Sequence, residues 1–141
     1  MPEDPPDSVE AGTLNVPGIA GLAAALQYLK RTGMERIFKR EQHQAEPCAE
    51  GLRSLGMRVF CGPHQAGTVS FVMDSDCETV AQLLAQRGIA VRAGLHCAPL
   101  AHESVGTLKT GTVRVSFGHD ASFAQTQALL QAISKLSSSK R

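Results

Sequence analysis

The 141-residue chain has no tryptophan, one tyrosine and five phenylalanines. Large rings therefore contribute little to its core, and packing falls to aliphatic side chains. It lacks a dominant charge as well: 14 Lys and Arg stand against 13 Asp and Glu, and no basic run is longer than two residues. That excludes the cationic footprint of a nucleic-acid binder or of an anionic-membrane ligand. The longest uncharged stretch, Ala11 to Leu29, holds Asn15, Pro17, three glycines and Gln27, so it makes neither a membrane span nor a signal peptide. Cysteines stand at 48, 61, 77 and 97 with no C-x-x-C. The spacing fits neither a zinc knuckle nor a secreted disulfide framework, and points to free thiols in a reducing, cytoplasmic setting.

What is present suffices for one domain, since 43% of residues are hydrophobic. The opening MPEDPPDSVE, with three prolines and four acids, is expected to be an extended arm that builds no core. From Pro17 the pattern becomes helical: Ile19, Leu22, Leu26 and Leu29 share one face, with Gly33 as a stop. Met34, Ile37, Phe38, Ala45, Cys48, Leu52 and Leu55 continue that spacing to Gly56, and Pro47 should kink or split this second helix. The period then changes to two. Residues 58–60 and 68–72 read as paired strands around a Gly-Pro turn and Gly67. Ser75 with Glu78 fits a capping box for a helix ending near Arg87, and residues 89–92 read as a third strand. Residues 112–117 make a strand with Arg114 opposite its apolar side chains, and Ser122 with Gln125 caps a last helix through Leu136.

This order predicts an α+β fold: a small antiparallel or mixed sheet of three to four strands with helices on one face. The expected organisation is an arm over residues 1–15, a domain over 16–136 and a tail over 137–141. The thin core and the unpartnered acidic arm suggest a part of something larger.

The stretch RAGLHCAPLAHE, residues 92–103, places Cys97 in polar surroundings marked by glycine and proline, unlike the other three cysteines. On composition alone, Cys97 would be a structural thiol and Arg114 a solvent-facing strand residue. A zinc site from His96, Cys97 and His102 lacks the usual ligand spacing. His43, His64 and His119 belong to no constellation, and the glycines at 12, 18 and 21 lack the strand and the G-K-[ST] of a phosphate loop.

Three segments taken together, EAGTLNVPGIAGLAAAL (10–26), GIAVRAGLHCAPLAHE (88–103) and GTVRVSFG (111–118), resemble the C-terminal part of pyridoxal-phosphate enzymes of the class V aminotransferase group. The resemblance is to group II cysteine desulfurases and their relatives, and it extends from about Val9 to Leu136. It implies the small C-terminal domain of a homodimeric enzyme using pyridoxal 5'-phosphate. It also implies that Cys97 takes sulfur from L-cysteine as a persulfide and that Arg114 clamps the substrate carboxylate. Gly12 and Thr13 would reach the cofactor phosphate of the neighbouring subunit, and Arg92 and His96 match active-site positions of less defined role.

In that family the lysine bonded to the cofactor lies in a large N-terminal domain, and none of Lys30, Lys39, Lys109, Lys135 and Lys140 has such a context. The chain alone is therefore expected to be an inactive fragment, and a sulfur-acceptor protein is an expected partner of its parent. The leucines of GLHCAPLAH depart from a more polar desulfurase loop. Two other readings stay open: a class V aminotransferase or lyase acting on another amino acid, and a free-standing thiol or sulfur-carrier module.

Overall fold

The computed structural model describes residues 3–9 and 12–138; the N-terminal methionine and proline, Glu10, Ala11 and the last three residues, Lys140 among them, lie outside the described part. The chain divides into two compact units, Met1–Arg36 and Ile37–Arg141. In the first, the arm is not simply extended. A 3-10 turn spans Asp7–Val9, with Ser8 N donating to Asp4 O and Val9 N to Pro6 O, both at 3.0 Å. Prolines fix φ near the value such a turn needs.

Helix α1, Val16–Thr32, follows. Asn15 caps it by accepting from Gly18 N at 3.1 Å, Pro17 sits in the first turn, and Gly33 closes it at φ +85. Its apolar stripe is exposed, Val16 at 63%, Ile19 at 55% and Leu22 at 61%.

The second unit carries the core. Helix α2 runs unbroken over Met34–Ser54 with Pro47 inside it, so the predicted split does not occur. The proline ring removes only the one amide that would have bonded to the His43 carbonyl. Burial of Ala45 before it and Cys48, Ala49 and Leu52 after it holds both halves on one line.

Strands β1 (Arg58–Phe60), β2 (Thr68–Val72), β3 (Arg92–Gly94) and β4 (Thr112–Ser116) form one sheet in the order β1-β2-β4-β3. Every pairing is antiparallel, which settles the antiparallel-or-mixed alternative. β3 begins three residues later than the sequence suggested. Ile89 and Val91 are half-buried against the core before the ladder begins, so their apolar character marks packing, not pairing. At the β2 start, Gly67 is required: a Cβ there would fall on the Phe117 carbonyl oxygen, because Phe117 N donates to Gly67 O at 2.6 Å.

Both β2 and β3 run antiparallel to the β4 strand between them, so they are parallel to each other, and helix α3 (Cys77–Ala85) makes the crossover. One sheet face carries Val69, Phe71, Val113 and Val115, buried with Leu52 of α2, Val80 and Leu84 of α3, and Leu129 and Ile133 of α5 (Phe123–Ser138). Burial of each such side chain contributes roughly 1.5–3 kcal/mol. A further helix, α4 (Pro99–Ser104), was not foreseen in the sequence.

The α3 cap is Asp76, not Ser75. Its carboxylate accepts from Thr79 N at 2.9 Å and Thr79 Oγ1 at 3.1 Å, because the helix begins one residue later than the capping-box reading placed it. For α5 the return half of the box is present: Ser122 N donates to Gln125 Oε1 at 2.8 Å, while Gln125 N donates to the Ser122 carbonyl at 3.0 Å.

Hydrogen bonding from Thr79 pulls the Asp76 carboxyl below its ordinary 3.8. Its contribution to stability is therefore present above pH 3.8 and lost as the pH falls through the lower folded-state value. In urea titrations Asp76→Ala lowers the unfolding midpoint at neutral pH and loses that effect in strong acid, whereas Ser75→Ala leaves the midpoint unchanged at both.

Candidate active site

The sheet face away from α2, α3 and α5 carries the residues of interest. Pairing aligns Phe60 with Ser70, Ser70 with Arg114, and Arg114 with Arg92. On the same face Arg58 pairs with Val72 and Gly94 with Thr112. The alternation of β4 that buries Val113 and Val115 thus forces Arg114 outward, and the antiparallel register sets it opposite Arg92. Like charges directly across a ladder are unfavourable by a few tenths to about 1 kcal/mol. Arg114 is half-buried, and its Nε is inaccessible to solvent yet has no hydrogen-bond partner among the described residues. A buried donor left unpaired costs about 1–3 kcal/mol. Both features are relieved by an anion that accepts from the two guanidinium groups.

Beyond β3 the chain turns sharply. His96 and Cys97 have φ of 52 and 59, two successive non-glycine residues in the left-handed region. That region costs about 1–2 kcal/mol per L-residue, so the surroundings must hold the turn. Ala98 N donates to Leu95 O at 2.9 Å. His96 Nε2 hydrogen-bonds Thr112 Oγ1 at 3.1 Å. Past the turn, Pro99 opens α4, whose His102 is buried with Nδ1 2.8 Å from the Thr107 hydroxyl. Thr107 N returns a bond to His102 O at 2.8 Å.

The Arg58 guanidinium donates to Val105 O, tying the segment after α4 back to the sheet. Gly111, at φ +64, permits the last approach: a Cβ there would lie 3.0 Å from both Cys77 Sγ and Gly94 Cα. Residues 95–111 are therefore a strap tied to the sheet at both ends, with the turn near its start.

Electrostatics follow from this geometry. Burial of the ring, then the charges of Arg114, His102 and Arg92, hold His96 below its ordinary 6.5, against the opposing pull of its bond to Thr112. The His96 and His102 rings are 5.9 Å apart. His96 Nδ1 is buried and without a hydrogen-bond partner among the described residues, like Arg114 Nε.

The four cysteines separate cleanly. Cys48 and Cys77 are buried, Cys61 is half-buried and Cys97 is exposed. Burial, reinforced by the nearby Cys61, pushes the Cys48 thiol up to about 12; such a group stays protonated and unreactive.

The structure thus brings Arg92, His96 and Arg114 together, with Cys97 next in the turn. Gly12 and Thr13 lie in the first unit ahead of α1, exposed, with Gly12 at φ +89. Among the described residues no three His, Cys, Asp or Glu side chains converge as metal ligands, and His102 Nδ1 is engaged by Thr107. Thr112 and Thr107, which position the two histidines, escaped the sequence reading. The only signal for Thr112 was its place two residues before Arg114 on an alternating strand. Nothing in the residue pattern distinguished Thr107.

Residues 2–129 match the family described as Aminotransferase class-V. A probable cysteine desulfurase of Xylella fastidiosa is 35% identical over 94% of the chain, which covers 32% of that protein. Among solved structures, the apo cysteine desulfurase of Thermococcus onnurineus superposes with a TM-score of 0.86 at 34% identity, covering 96% of this chain and 34% of that one. The cystine C-S lyase C-DES, solved with its reaction product cysteine persulfide, gives 0.68 at 26% identity over 89% of this chain and 31% of that one. A second C-DES structure, a mutant with glycine covalently linked to its PLP cofactor, gives 0.68 at 27%, with coverage of 89% and 30%. The chain belongs to the class-V aminotransferase family. It is most usefully compared with the family's cysteine desulfurases, of which it spans about a third of the length or less. No described helix is long and apolar enough to cross a membrane.

Two outcomes check this local structure. Under native conditions at pH 8, iodoacetamide modifies Cys97 first and Cys48 only after unfolding, as peptide mass spectrometry reads. Cys97→Gly, which relieves the left-handed turn, is more stable than Cys97→Ala by about 1 kcal/mol in urea unfolding.

Proposed function

We propose that the chain is the substrate-gripping and sulfur-accepting portion of a pyridoxal-phosphate-dependent cysteine desulfurase, converting L-cysteine to L-alanine with persulfide formed on Cys97. The observation that carries the reading is the exposed Cys97, held in a left-handed turn directly after the strand that sets Arg92 opposite Arg114. The residues fit the group. A cofactor-bound amino acid presents a carboxylate, and the unpartnered Arg114 Nε with Arg92 across from it supplies donors for one. Gly12 and Thr13 offer a backbone amide and a hydroxyl suited to a phosphate oxygen. The lysine that bonds the cofactor belongs, on this reading, to the part of the relatives' length that the chain does not span.

When bound, pyridoxal phosphate withdraws electron density from the amino-acid carbons. The work of this chain is then positional and nucleophilic. Arg114, fixed on the central strand, takes both carboxylate oxygens and sets the direction of the substrate side chain. Arg92 adds a second positive charge from the edge strand. Cys97, as thiolate, attacks the substrate sulfur: the S–S bond forms, the Cβ–S bond breaks, and the electron pair left on Cβ takes up a proton to give alanine. The persulfide on an exposed turn is open to a thiol of an acceptor protein. The parent acts as a dimer, with Gly12 and Thr13 serving the neighbouring subunit.

A second reading, a lyase acting on another amino acid with Cys97 incidental, is favoured by the likeness to the cystine C-S lyase. It is also favoured by the apolar Leu95 and Leu100 flanking the turn, 36% and 77% exposed.

The deciding experiment uses the full-length protein containing this chain. Cys97→Ala abolishes persulfide formation from L-cysteine while the cofactor's absorbance is retained. Arg114→Lys raises the KM for cysteine by roughly 10–100-fold, the value of a lost charge-assisted bond. Persulfide-independent release of sulfide that survives Cys97→Ala would instead establish the lyase.

A further inference from the structure

Four groups from three elements surround His96: Arg92 on β3 and Arg114 on β4 lie near enough to oppose a charge on it, the His102 ring of α4 is 5.9 Å away, and Thr112 of β4 holds its Nε2 at 3.1 Å. None is acidic. The other ring nitrogen, Nδ1, is buried with no hydrogen-bond partner among the described residues, and so is Arg114 Nε. This cluster therefore holds two positive charges, Arg114 half-buried and Arg92 exposed, and two unused nitrogen positions. An imidazole there gains nothing by charging while the arginines are unneutralised, because a third cation in a partly desolvated cluster is repelled. A carboxylate seated between Arg92 and Arg114 reverses the sign of that balance. It cancels the nearest repulsion and presents an acceptor toward the group.

We propose that His96 is proton-linked to anion capture: it holds its proton weakly while Arg92 and Arg114 stand opposite each other unneutralised, and takes one up from solvent when a carboxylate seats between them. This rests on the assignment of that arginine pair as the carboxylate clamp. The linkage has a definite direction. In the window between the free-state value, below 6.5, and the higher anion-bound value, binding takes up a proton and affinity falls as pH rises. The limit for one linked proton is tenfold per pH unit. Below that window His96 is charged in both states, above it in neither, and affinity is level. By reciprocity, the anion must raise the His96 value by as much as protonation tightens the anion. His96 is on this account a positioning residue for the substrate's charged end, adjusting its grip to pH without touching the bond that breaks.

The test is proton NMR of the 141-residue chain, following the imidazole carbon-bound protons from pH 5 to 8, with His96 assigned by its absence in His96→Gln. The probe is propionate, compared with chloride at equal ionic strength. The expected results are an upward shift of the His96 titration with propionate, and a propionate affinity that weakens by up to tenfold per pH unit within the window. Arg114→Gln raises the His96 value without propionate and removes the response to it. Should that variant fail to fold, Arg92→Gln on the exposed strand edge gives a smaller upward shift with a diminished response.

A propionate response that depends on Arg114 but leaves the His96 titration where it was would overturn the linkage and leave the carboxylate clamp standing. Propionate binding indifferent to Arg114 and Arg92 would remove the clamp itself, and the linkage with it. A His96 titration unmoved by either arginine substitution would likewise overturn the proposal.

Discussion

The register between β3 and β4 is the constraint on which the rest of this molecule's chemistry depends. Once Val113 and Val115 turn toward the helices, a period of two leaves Arg114 no choice of face, and pairing with a three-residue edge strand puts Arg92 directly opposite. A shift of one residue would bury a guanidinium in an aliphatic core, at a cost far above that of any surface interaction. The hydrophobic side of the sheet thus enforces a charge arrangement on the polar side that is unfavourable by itself. Core packing supplies the free energy that holds the two guanidinium groups opposite each other.

The strap over residues 95–111 applies the same logic on a smaller scale. Its turn is strained, and two histidine–threonine hydrogen bonds brace it, His102 to Thr107 within the strap and His96 to Thr112 at the start of β4. Little of its stability comes from apolar burial, since Leu95, Leu100, Val105 and Leu108 remain at least a third exposed. A segment held by hydrogen bonds and one arginine tether, beside the sheet, suits the presentation of an exposed side chain such as Cys97.

Much of this was legible in the residues. Helical spacing located α1, α2, α3 and α5, and alternation located β2 and β4, because each has one buried face and the periodicity records burial. Local composition set Cys97 apart from the other cysteines, but it and Arg114 acquired a role only when three separated segments were recognised together; neither composition nor spacing raises a lone cysteine or a strand arginine above its ordinary role. Where the reading slipped, tertiary packing or a local competitor decided. Ile89 and Val91 looked like strand but serve the core before pairing begins. Pro47 looked like a break, but one missing amide is outweighed by burial on either side. Ser75 competed with Asp76 for the same cap, and the carboxylate is the stronger acceptor for two Thr79 donors. Helix α4, six residues long, is below the length at which periodicity can be seen.

The left-handed pair His96–Cys97 also defines what the segment is outside the fold. Two successive L-residues in that region cost on the order of 2–4 kcal/mol, more than a short free peptide can offset with one turn hydrogen bond. A synthetic peptide spanning residues 92–103 therefore abandons this shape for extended conformers. Antibodies raised against it would recognise the denatured chain and pass over the native one. The turn is a property of the sheet, of Thr112 and of the strap's far anchor, carried by the segment only while they hold it.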